Sequence, residues 1–114
     1  MHKLKRLIEA SLDDDKAQDI VAIDLAGKSS LADYMIVASG LSQRHINTLA
    51  DHIADKLRAK GYGAPPAEGK ESSDWVVLDA GNIIVHLFRP EARRHYNLEK
   101  MWAMPMPAIM EAAL

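Results

Sequence analysis

Gly40-Leu41-Ser42 follows an apolar, β-branched run and opens a helical pattern, so it is the stretch best suited to hold a triphosphate. A helix start of this kind offers unpaired N–H groups and the positive end of a dipole. Enzymes that transfer nucleotidyl groups from such a start also need two carboxylates, one residue apart on the next strand, to hold two Mg²⁺ ions. Here the next strand pattern, Trp75-Val76-Val77-Leu78, is bracketed only by Asp74 and Asp79. Five residues apart on a strand, these fall on opposite faces and ~16 Å from each other, too far to share an ion.

The other chemistry-bearing groups are weaker. Gly27-Lys28-Ser29 has the tail of a phosphate-binding loop, but the earlier glycine falls where Ala22 stands, and a strand follows instead of a helix. Asp13-Asp14-Asp15 crowds the end of a helix, where carboxylates oppose the dipole, and reads as a solvated connection. His45 and His52 share one side of a helix, yet two imidazoles without a third ligand make a poor zinc site and read as surface histidines. Serine, histidine and aspartate all occur, but no nucleophile elbow presents them as a hydrolytic triad. With no cysteine in the chain, thiolate chemistry and disulfides are excluded.

The elements that would position these residues follow from periodicity. Leu4, Leu7, Ile8 and Leu12 make residues 3–13 an amphipathic helix. Ile20 to Leu25 and Tyr34 to Ser39 read as strands. Ile46, Leu49, Ala50, Ile53, Ala54 and Leu57 define the clearest helix, with Ser42 as its N-cap and Gly61 as its stop. Pro65-Pro66 bars the next segment from the middle of a sheet, leaving room for a short edge strand. Val76 to Leu78 and Ile83 to Val85, joined by Asp79-Ala80-Gly81-Asn82, read as a hairpin that ends at Arg89-Pro90. A charged, aromatic helix follows it.

The order is therefore α-β-β-α-β-β-β-α, an α/β or α+β domain with a mixed sheet over residues 1–103 and a tail over 104–114. A parallel pairing is expected, since a long helix separates strands of one sheet. A formal net charge of -2 supplies no basic field to capture nucleic acid, so direct sequence-specific nucleic-acid binding is not expected. No apolar run approaches the ~20 residues that span a bilayer, and no signal-peptide core follows the N-terminal Lys3, Lys5 and Arg6. A cytoplasmic protein without membrane contact is expected.

The stretch from Trp75 to Trp102 holds both tryptophans and the only phenylalanine. Its hairpin strands are apolar on both faces, so both must be covered, by this chain or by another. Trp75, Asp79, His86, Phe88 and the Tyr96-Leu98-Trp102 set would form a patch with aromatic anchors and a polar rim. Periodicity alone favours a core place for Phe88 and Trp102 and leaves Trp75 open.

These residues resemble the Iojap-like ribosomal silencing factors. The resemblance rests on Ser30-Leu31-Ala32-Asp33-Tyr34-Met35-Ile36-Val37-Ala38-Ser39-Gly40, on Ser42-x-Arg44-His45 with Leu49-Ala50-Asp51, and on Glu68-Gly69. It continues through Trp75-x-x-Leu78-Asp79-x-Gly81-x-Ile83-Ile84-Val85-His86-x-Phe88 and closes on Arg94-x-Tyr96-x-Leu98-Glu99-x-x-Trp102. It implies a nucleotidyltransferase-like fold with no enzymatic activity and no cofactor or metal. It also implies binding to the large ribosomal subunit through its protein number fourteen, which blocks joining of the small subunit and represses translation when nutrients run short. No organellar import segment precedes the first helix, which favours the bacterial role.

The expected contact residues are Glu71, Asp74, Trp75, Asp79, His86, Phe88, Tyr96 and Leu98, with the acids facing a basic partner. The same apolar surface also allows two free copies to pair. The rival reading is a small nucleotide-binding or nucleotidyltransferase-type enzyme built on Gly40-Leu41-Ser42.

Overall fold

In the computed structural model, residues 2–25, 32–69 and 75–90 are described. Helix α1 (His2–Asp14) buries Leu4, Ile8 and Leu12 along one side. Its chain reverses through Lys16, whose φ of 64° is left-handed. The Ala17 N–H reaches the Leu12 carbonyl at 2.9 Å and the Lys16 N–H reaches the Asp13 carbonyl at 3.0 Å, so the last turn closes as a Schellman motif without a glycine. Strands β1 (Gln18–Asp24) and β2 (Tyr34–Ser39) follow, paired antiparallel.

Helix α2 (Gln43–Ala59) starts and stops where its sequence signals stand. The Ser42 hydroxyl accepts from the His45 N–H at 3.1 Å. At the other end Gly61 has φ 86°, and the Tyr62 N–H bonds to the Leu57 carbonyl at 2.9 Å while the Gly61 N–H bonds to the Arg58 carbonyl at 3.1 Å. This is the same closing motif as in α1, here with the residue that adopts a left-handed conformation most cheaply. Ile46, Leu49, Ala50, Ile53 and Leu57 are buried.

The two-residue β3 (Ala67–Glu68), β4 (Trp75–Asp79) and β5 (Ile83–Phe88) complete a five-stranded sheet in the order β1-β2-β5-β4-β3. β3 takes the edge, as the preceding prolines require. β2 and β5 pair in parallel and β4 and β5 antiparallel, so the sheet is mixed. Every residue of the central β5 is buried, whereas β4 alternates. The hairpin turn is held by the Asp79 carboxylate, which accepts the Gly81 N–H at 2.9 Å; Gly81 takes φ 84°.

Both helices lie on one face of the sheet. Val76, Leu78, Ile83, Val85 and Leu87 join Ile36 and Ala38 from β2 and the apolar stripes of α1 and α2 in one core. A second core occupies the opposite face, with Leu25, Ala32, Met35, Val37, Ile84 and Phe88 at its centre. The expected terminal helix, Gly27-Lys28-Ser29 and the C-terminal tail lie outside the described residues.

Candidate binding face

Side chains alternate along a strand, so register decides which hairpin residues meet. Trp75 pairs with Phe88, Val77 with His86 and Asp79 with Ile84, while on the other edge of β5 Val37 pairs with His86 and Ser39 with Phe88. Trp75, Asp79, His86 and Phe88 therefore share the sheet face that turns away from α1 and α2. Sequence reasoning grouped these four, and the register brings them together.

The rings form one cluster. Trp75 and Phe88 stack with centroids 5.0 Å apart and planes at 25°, and His86 lies nearly parallel to Phe88 at 6.1 Å. The Trp75 indole N–H donates to His86 Nδ1 at 3.0 Å. An indole nitrogen can only donate, so Nδ1 must carry a lone pair and the imidazole proton sits on Nε2. That Nε2–H is buried and has no hydrogen-bond partner among the described residues. Burial lowers the His86 pKa from 6.5 to about 4, so the ring is neutral at physiological pH.

Exposure divides the cluster into two layers. His86 and Phe88 are both 0% exposed, whereas Trp75 and Asp79 are partly buried. His86 and Phe88 present no side-chain surface to a partner; they fix the indole, one by a hydrogen bond and one by stacking. Asp79 spends one carboxylate oxygen on the turn, which orients the other half of its side chain without neutralising it. Gly69 follows β3 with φ 87°, and a Cβ there would collide with the Trp75 carbonyl oxygen, so the chain must be glycine where it passes the start of β4. Glu71, Asp74, Tyr96 and Leu98 lie outside the described residues.

The Gly40-Leu41-Ser42 helix start is occupied from within. The His45 N–H goes to the Ser42 hydroxyl, and the Leu41 N–H goes to His45 Nδ1 at 2.9 Å. A Cβ on Gly40 would lie 2.9 Å from Ile46 Cγ1, so the strand end packs directly on the helix it introduces. His45 is thereby fixed with its proton on Nε2, which donates to the Asp15 carbonyl at 2.9 Å. His52 Nδ1 meets the Asp15 carboxylate at 2.6 Å. These histidines clamp the end of α1 to α2, a role that their shared helix side hinted at but that needed the position of Asp15 to be seen. No group of three or more histidine, aspartate or glutamate side chains is placed to hold a metal among the described residues. No helix among them is long and apolar enough to cross a membrane.

The protein family described as "ribosomal silencing factor during starvation" matches residues 1–113. A ribosomal silencing factor of Zymomonas mobilis is 54% identical over 99 residues, covering 87% of this chain and 74% of its own. The crystal structure of a Chromobacterium violaceum protein superposes with a TM-score of 0.86 at 36% identity, covering 94% of this chain and 89% of that one. More distantly, a mouse protein named for mitochondrial assembly of the ribosomal large subunit is 30% identical over 101 residues, covering 86% of this chain and 44% of its own. The family match, these identities and the shared fold agree, and the chain belongs to the ribosomal silencing factor family.

Proposed function

We propose that this chain represses translation by occlusion: it binds the large ribosomal subunit through that subunit's protein number fourteen and prevents the small subunit from joining. The observation that carries the reading is Trp75, partly buried and held at the surface by a neutral His86 and a stacked Phe88 that are themselves fully buried. An aromatic pre-positioned in this way loses little side-chain entropy on binding, which is the property of an interface anchor. Asp79, on the same sheet face at the other end of β4, with Glu71 and Asp74 nearby in sequence, supplies acids to orient a basic partner and speed its approach. Occlusion needs no catalytic group, metal or cofactor. The name of the mouse relative points to the same subunit.

Trp75→Ala is expected to weaken binding to isolated large subunits by about 2 kcal/mol, roughly 30-fold, while leaving the fold intact. Co-sedimentation of a folded variant with purified large subunits measures this, and unaltered pelleting would remove Trp75 from the interface. The nucleotide-handling alternative has no such support, because two N–H donors at the Gly40-Leu41-Ser42 helix start are already bonded within the chain.

A further inference from the structure

On the opposite side of the sheet from Trp75, the start of α1 and the end of α2 form a cleft of about 420 Å³ lined by Lys3, Arg6, Leu7, Lys60 and Tyr62. No acidic residue lines it among the described residues. Lys3, Arg6 and Lys60 are exposed, and none has an ion-pair partner among the described residues. Lys5, on another side of α1, differs: it pairs with Glu9 at 3.0 Å. Tyr62 is 51% exposed, one of two large apolar side chains left open to solvent among the described residues.

Two features set this cluster apart from an ordinary solvated surface. The chain carries a net charge of -2, so three unpaired cations in one cleft are a local departure from the whole. Lys3 also stands in the first turn of α1 and Arg6 directly after it; that turn has no acidic residue, and the helix dipole there favours anions and opposes cations. Helix stability therefore does not account for their placement, but an anion bound between them would relieve it.

We propose that this cleft binds single-stranded RNA without sequence preference, its phosphates meeting Lys3, Arg6 and Lys60 and one base stacking on Tyr62. Cations that track a backbone beside an open aromatic ring are the combination that such strands require. The choice of RNA among polyanions rests on the ribosome-binding reading; the cleft chemistry does not. Contact through Trp75 and contact through the cleft use separate surfaces, so each can be removed alone.

Fluorescence anisotropy of the full chain with fluorescein-labelled decauridine tests the proposal. The triple variant K3Q/R6Q/K60Q is expected to bind at least about tenfold more weakly and to lose most of the salt dependence, since three phosphate contacts give a slope of about +2 in log Kd against log salt. Tyr62→Ala is expected to weaken binding with the salt slope unchanged, and Trp75→Ala to leave RNA affinity as it was. Circular dichroism confirms that the exposed substitutions leave the fold in place. Equal RNA affinity in the triple variant, or equally tight binding of labelled polyglutamate by the original chain, would overturn the RNA assignment. Neither result bears on Trp75, whose own test is pelleting with large subunits.

Discussion

Acidifying the chain from pH 7 to pH 4 is expected to remove about 3 kcal/mol of folding stability through His86 alone. The folded chain holds His86 at a pKa near 4, against 6.5 for the exposed ring. Above the unfolded value both states are neutral and the stability is complete. As pH falls, the unfolded chain takes up a proton that the folded chain refuses, so stability drains away until the folded pKa is passed. Protonation also places a hydrogen on Nδ1, the atom that accepts the Trp75 indole, so the folded state can take the proton only by releasing Trp75. Urea unfolding at pH 7, 5.5 and 4, compared between the chain and His86→Leu, isolates this term from the carboxylates that titrate in the same range. A variant whose stability falls with pH as steeply as the original would show that His86 is not protected.

Phe88→Ala is expected to cost about 3–5 kcal/mol, the range for emptying a fully buried aromatic site. Phe88 is 0% exposed, stacks on Trp75, and its carbonyl accepts the Gly40 N–H at 2.9 Å, so the central strand and the entry to α2 meet at this residue. Against the 5–15 kcal/mol typical of a small domain, a loss of this size leaves little margin. Trp75→Ala, at a partly buried position, is expected to cost clearly less stability but more binding. Chemical denaturation of the two variants side by side separates the residue that builds the face from the residue that offers it. Equal destabilisation would mean that Trp75 is as much a core residue as Phe88.

Much of the architecture was legible in the residues. Tyr34–Ser39 and the hairpin strands stand out as β-branched runs, and Ser42 and Gly61 mark the ends of α2 by chemistry that the structure uses directly. In the structure Val76, Leu78, Ile83, Val85 and Leu87 face the helices while Trp75, Asp79, His86 and Phe88 face the other way, as strand alternation requires. Alternation gives a face but not its depth. It cannot say that β5 is central and covered while β4 is only half covered, so the resemblance places His86 and Phe88 among the contact residues alongside Trp75, although periodicity already favours a core place for Phe88. The left-handed turn at Lys16 was equally hidden, because a lysine carries no local signal for φ 64°; it accompanies the Schellman closure of α1 through the Ala17–Leu12 and Lys16–Asp13 hydrogen bonds. The clamp of His45 and His52 on Asp15 joins residues some thirty or more positions apart, beyond the reach of any local pattern.

We propose that this chain, held by the Trp75 face, keeps the ribosomal subunits apart. Light scattering of purified large and small subunits, mixed under conditions that favour joining, tests it most directly. Saturating chain is expected to hold the signal near that of free subunits, and Trp75→Ala at the same concentration to let it rise towards that of joined ribosomes. If reassociation proceeds unchanged in the presence of saturating folded chain, repression by occlusion is wrong.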